Sequence, residues 1–280
     1  MSIALNAGAI KALIATETGN QVQSLTVKDR ETLWMPRETG KLGGIPLLAP
    51  WANRLDGDAY FANGRRYRLN PDVIEIRRDA TGLPIHGLLA FCQGWRVVRK
   101  SAYSVTSRLE FWREPRWMAQ FPFAHNLELT HRLDPTSLQV EIAVENLASE
   151  PMPLCIGFHP YFRLSDSPRD KWTLRIAARE RVVLSDKLIP TGATSPATVF
   201  HHVVPPAGNC RSSDRKNPFT IRREIGPSFS TRSSSVTGGG PPSGISRCHQ
   251  GVLSSPAFSP TADGVSPAPA SGVVFAAAVA

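Results

Sequence analysis

Cysteine is scarce in this chain and never paired. Cys92, Cys155, Cys210 and Cys248 form no C-x-x-C and have no metal-ligand spacing with histidine, which excludes a zinc ribbon or a disulfide scaffold and leaves reduced thiols. Long apolar runs are missing as well. The longest, Val273 to Ala280, falls far short of the roughly 20 residues that span a bilayer. Met1 to Asn20 lacks the charged-then-apolar pattern of an export leader, so a cytoplasmic protein off the membrane is expected. No stretch shows a helical stripe of apolar residues. Although the net charge is +9, there is no long basic run. Arginines stand singly or in pairs such as Arg65-Arg66, Arg77-Arg78 and Arg222-Arg223, so nucleic acid is not expected as a partner.

What the chain does have is strand periodicity. Leu127, Leu129, His131 and Leu133 alternate with Glu128, Thr130 and Arg132. After the turn Asp134-Pro135-Thr136-Ser137 the alternation resumes, with Leu138, Val140, Ile142 and Val144 against Gln139, Glu141 and Glu145. Period-two hydrophobicity on both sides of a turn predicts a hairpin. Val105 to Phe111 and Trp172 to Ile176 read as further strands. Many short strands separated by turns imply an all-β sandwich or barrel.

The composition changes near residue 200. All six Trp and all four Tyr lie at or before Trp172, whereas residues 201–280 hold 14 Ser, 10 Pro and 9 Gly but only Asp214, Glu224 and Asp263 as acids. Such a segment buries too little apolar surface to offset its ordering entropy. Two explanations stand: a natural flexible tail, or a shifted reading frame, since Arg, Ser, Pro, Gly and Ala dominate a GC-rich gene read out of register. The second is preferred. The expected organisation is therefore a β-sandwich over residues 1–200 and a Ser/Pro/Gly-rich tail over 201–280.

Four segments set polar groups among Gly, Pro and aromatic residues: Gly43 to Arg54, Pro84 to Gly87, Gln120 to Phe123, and Gly157 to Phe162. Gly and Pro fix loop geometry, and aromatic rings offer flat apolar faces. A sugar ring uses both, stacking its C–H face and exchanging hydrogen bonds through its hydroxyls. His86 and His159 lie in such loops, where an imidazole in an apolar cleft keeps a pKa near or below about 6.5 and can exchange a proton at neutral pH. The bland alternative for any lone histidine is a structural side chain, and His125 and His131, in or beside a strand, are read that way, as are His201, His202 and His249. Arg54, with its planar fork, is either a hydroxyl clamp or a surface charge.

These segments resemble the aldose 1-epimerase (galactose mutarotase) family. The Pro-x-x-Asn-Arg loop ending at Arg54, the His86-Gly87 loop, Phe121-Pro122-Phe123 and Gly157-Phe158-His159-Pro160-Tyr161-Phe162 follow the family's order over roughly the first 200 residues. The resemblance implies a galactose mutarotase-like β-sandwich (supersandwich), incomplete at its C-terminus. It implies an isomerase of carbohydrate metabolism that interconverts the α and β anomers of a hexose, with a monosaccharide as its small-molecule partner and no metal or redox cofactor. It further implies His159 as the general acid for the ring oxygen, His86 as a hydrogen-bonding group near the reacting atoms, and Asn53-Arg54 as the pair that positions hydroxyls.

The chain departs from the family in one respect. The family's base is a glutamate near the C-terminus, preceded by a substrate-binding aspartate. Past Arg181 the acids are only Asp186, Asp214, Glu224 and Asp263, and none has the family's surroundings. A non-catalytic carbohydrate-binding remnant is therefore the alternative reading, and missing final strands would leave an open sheet edge. The choice of hexose and the oligomeric state are not written in the sequence.

Overall fold

A computed structural model describes residues 2–164, 173–176, 180–196, 202–203, 219–222, 229–236 and 271–279. The architecture is all-β. Four N-terminal strands, Ser2–Ala7, Ile10–Ala15, Gln21–Val27 and Arg30–Glu31, form a consecutive antiparallel sheet. Its first two strands pack on His125–Leu133 of a second, nine-stranded sheet.

The expected hairpin is present. His125–Leu133 pairs antiparallel with Ser137–Asn146, with Leu129 opposite Ile142, and on its other side with Ser104–Glu110. Leu127, Leu129, His131, Leu133, Leu138, Val140 and Ile142 are all buried, so the alternation marks the core face as read. On the other face cross-strand polar pairs line up: Thr106 with Thr130, and Arg108 with Glu128 at 3.2 Å. Asp134 makes the turn, accepting hydrogen bonds from the Thr136 N–H and hydroxyl.

One helix was not foreseen. Pro115–Gln120 has Pro at its first turn and Glu114 as N-cap, accepting from the Arg116 N–H; at six residues it is too short to show a 3.6-residue period.

Tail backbone continues the large sheet. Ser271–Val279 lies antiparallel to Ser137–Asn146, followed outward by Phe229–Val236, Phe219–Arg222, Thr173–Ile176 and His202–Val203. An open sheet edge was expected from missing final strands; the outer side of Ser137–Asn146 is instead paired with Ser271–Val279. The rest of 201–280, including Glu224 and His249, lies outside the described residues, as do Cys210 and Cys248. Cys92 and Cys155 are buried and unbridged. No helix among the described residues is long and apolar enough to cross a membrane.

Candidate functional site

Three of the four loop segments converge through backbone hydrogen bonds. Leu47–Leu48 pairs antiparallel with Gly157–Phe158. That short ladder continues outward: His159 N donates to Pro46 O at 3.2 Å, Cys155 N to Pro50 O at 2.9 Å, and Tyr161 N to Gly44 O at 2.8 Å. The third segment joins from the other side, with His86 N donating to Asn53 O at 3.1 Å and Leu88 N to Ala49 O at 2.7 Å. His86 and Gly87 both take left-handed backbone, φ +68° and +66°, a conformation costing a non-glycine residue about 1 kcal/mol or more. At Gly87 no side chain fits, since a Cβ would stand 2.0 Å from the Ala49 carbonyl oxygen. The Gly is there so that the two loops can touch.

This zipping brings His86 and His159 face to edge, ring centroids 5.4 Å apart and planes 75° apart. The Tyr161 ring stacks on His159 at 4.7 Å, and half-exposed Trp34 lies against Tyr161 at 5.9 Å. Burial pushes the His86 imidazole down to about 4, helped by the positive fields of His159, Arg77 and Arg54 and opposed by the Ala52 carbonyl. Burial also lowers His159. Both rings are therefore neutral at pH 7. Because the Ala52 carbonyl can only accept, His86 donates through Nδ1, 3.0 Å away. Its Nε2 is thereby fixed as a hydrogen-bond acceptor.

Arg54 and Asn53 sit on the same loop, and Arg54 bridges to Ile85 just before His86. The Arg54 side chain is only 10% exposed and spends its Nε on Asp79, itself 10% exposed. Its Nη1 donates weakly to Asn53 Oδ1 at 3.4 Å. Asn53 is buried, and its Nδ2 has no hydrogen-bond partner among the described residues. Burial raises the Asp79 carboxyl, but the Arg54 guanidinium, the Thr81 hydroxyl and two turn N–H groups outweigh it and hold the group well below the usual carboxylate range.

The fourth segment does not join the site. Phe121 and Phe123 are core residues packed with Tyr60, Tyr67 and Phe111, and Gln120 clamps the Asn70 backbone from both sides at 2.7 and 2.8 Å. Its two Phe rings serve packing, while Pro122 between them is exposed. Conversely, Tyr161 and Trp34 beside His159, Arg77 whose charge acts on His86, and Asp79 which holds Arg54 were not singled out. Tyr161 stands in a quoted motif, but Asp79 lies in an ordinary turn sequence, Asp79-Ala80-Thr81-Gly82. Arg77 read as one of several dispersed basic pairs.

Comparison with known proteins gives a concordant result. Residues 1–202 match the family model described as aldose 1-epimerase. Among curated proteins of Escherichia coli (strain K12), YihR is 28% identical over 158 residues, covering 56% of this chain and 46% of its own length. YphB is 30% identical over 122 residues, covering 44% and 38%. The matches thus span under half the length of these relatives. Among solved structures, the Slr1438 protein of Synechocystis superposes with a TM-score of 0.72 at 20% identity, over 100% of this chain and 95% of its own. A putative aldose 1-epimerase from Escherichia coli K12 gives 0.70 at 16%, over 100% and 99%. At those identities the likeness is one of fold.

Proposed function

We infer that this chain, which belongs to the aldose 1-epimerase family, binds a hexose beside the contacting pair His86 and His159 and interconverts its α and β anomers. The observation that carries the reading is the facing pair of neutral imidazoles 5.4 Å apart on two interlocked loops. Opening a cyclic hemiacetal requires a proton to leave the anomeric hydroxyl while another reaches the ring oxygen. His159 supplies the second proton, and His86 accepts a hydrogen bond from a hydroxyl through its Nε2. The open aldehyde turns about its C1–C2 bond and recloses on the opposite face. At rest His159 is uncharged, so to act as a donor it must gain a proton. A carboxylate drawn up beside the sugar would take the anomeric proton, and its charge would raise the pKa of His159 so that the imidazole carries the proton for the ring oxygen.

That carboxylate is the point on which two readings divide. Beyond Arg181 the sequence offers Asp186, Asp214, Glu224 and Asp263, and Asp186 is an exposed turn residue. A chain without the base would hold the sugar but turn it over slowly, which is the carbohydrate-binding alternative.

Polarimetry of freshly dissolved α-D-glucose and α-D-galactose separates the two. An epimerase speeds the decay of rotation, and His159→Ala reduces that catalysed component by about a hundred- to ten-thousand-fold. Binding measured by calorimetry with no acceleration supports the alternative. Absence of both binding and acceleration refutes each of them.

A further inference from the structure

Asp79 touches none of the rings, yet it connects most of what holds Arg54 in place. Its Oδ1 accepts from the Thr81 N–H at 2.9 Å, the Thr81 hydroxyl at 2.7 Å and the Leu83 N–H at 3.1 Å. Its backbone N–H donates to Leu83 O, closing the turn at 3.0 Å. Three bonds on one oxygen fix the carboxylate plane, and the other oxygen, Oδ2, points at the Nε–H of Arg54. The same turn is tied to the site loops, since Ile85 N donates to Arg77 O and Leu55 N to Pro84 O, each at 2.9 Å.

The consequence for Arg54 is geometric. A guanidinium is a planar fork of five N–H groups. With Nε spent on Asp79 and Nη1 directed at Asn53 Oδ1, the plane is set, and Nη2 is the arm for which the described residues show no partner. An unrestrained arginine would lose rotamer freedom on gripping a ligand. Here that freedom is already gone before the ligand arrives.

We propose that Asp79 is the positioning residue of this site: by holding the Nε–H of Arg54 it aims the guanidinium's free edge at a hydroxyl oxygen of the bound hexose, without contacting the sugar. The proposal rests on the sugar-binding reading above, and it assigns Asn53 to bracing the arginine from the other side.

The decisive variant is Asp79→Asn. Its amide oxygen takes the place of Oδ1 and preserves the turn, while its NH2 replaces Oδ2 and confronts the Arg54 Nε–H donor to donor. The turn survives and the arginine is released. Hexose dissociation constants are measured by NMR titration with D-glucose and D-galactose, on the full chain, alongside thermal melting and the Nε–Hε resonance of Arg54. Arg54→Ala should weaken binding roughly tenfold or more, as expected for loss of a charge-assisted hydrogen bond. Asp79→Asn should weaken it comparably and shift the Nε–Hε resonance toward its solvent-exposed position, with a melting midpoint that falls, since a buried ion pair loses one partner, but stays above the titration temperature. The double variant should bind no worse than Arg54→Ala alone, because both changes remove one interaction. Wild-type affinity in Asp79→Asn, or losses that simply add in the double variant, overturns the positioning role. Should Asp79→Asn not fold, Arg54→Lys decides. It keeps the charge opposite Asp79 but removes the fork, and unchanged affinity there overturns the role as well. If the wild-type chain binds neither sugar, the sugar-binding reading itself falls, a result distinct from either.

Discussion

Four histidines of the sandwich are held uncharged, and they form two contrasting pairs. His125 and His131 lie on one strand of the large sheet, 0% and 1% exposed. Burial pushes them down to about 4 and about 3. His125 stacks on Phe111 at 4.2 Å and bonds the Phe123 carbonyl through Nδ1, and one ring nitrogen of each residue is buried without a partner among the described residues. His86 and His159 are also depressed by burial, but they come from two loops far apart in sequence and face each other across 5.4 Å. A lowered pKa therefore reports burial in both places. What marks the loop pair is the meeting of two imidazoles, one with its tautomer fixed, beside a clamped arginine.

The largest expected effect tests that distinction through acid stability. The strand histidines have folded pKa values below their unfolded value of about 6.5. The unfolded chain therefore takes up more protons as pH falls. Their contribution is fully present above pH 6.5 and is lost progressively as pH drops toward 4 and then 3, on the order of 3 kcal/mol for His125 and 5 kcal/mol for His131. Urea midpoints taken at intervals between pH 7 and pH 4 should fall steeply. In His131→Leu the slope should flatten by up to one proton, about 1.4 kcal/mol per pH unit. Added hexose should raise the midpoint of His131→Leu but not of His159→Ala. A hexose-induced shift that survives His159→Ala and vanishes in His131→Leu would invert the comparison.

A backbone counterpart of intermediate size compares two glycines in almost the same conformation. Gly87, φ +66°, meets Ala49 O at 2.0 Å if given a Cβ, whereas Gly8, φ +71°, in the hairpin turn after Ser2–Ala7, meets nothing within 4 Å. Gly8→Ala bears only the left-handed penalty of about 1 kcal/mol. Gly87→Ala adds the collision with backbone and should cost about 3 kcal/mol in denaturant melts, together with a loss of hexose binding. Equal costs at the two positions would mean that the site loops are no tighter than an ordinary turn.

Much of the sandwich was legible because strand period and burial agree residue by residue from Leu127 to Ile142. The His86, His159 and Arg54 loops were legible only as motifs resembling a family. Their convergence depends on bonds such as Pro46 O with His159 N and Ala49 O with Leu88 N, and no local pattern encodes those. Gln120 to Phe123 shows the reverse failure, since the same Phe rings that could line a binding loop here fill the core. Asp79 was invisible because its role comes from the direction of one carboxylate oxygen, and Pro115–Gln120 because fewer than two turns carry no period.

The smallest effect falls on Tyr161, whose ring covers His159 at 4.7 Å with planes 22° apart. Burial is the cause that lowers His159, opposed by a backbone hydrogen bond. A neighbour that excludes water therefore helps keep that imidazole neutral. Tyr161→Phe retains the ring and removes only the hydroxyl, so the His159 pKa followed by NMR should stay where it is and stability should change by less than about 1 kcal/mol. Tyr161→Ala opens the face to water, and the pKa should climb toward the ordinary value of about 6.5. The strand histidines act as the internal reference, since neither variant touches them and both should hold their values near 4 and 3. A His159 pKa that rises equally in Tyr161→Phe would show that the hydroxyl, not the stacked ring, shields the loop pair.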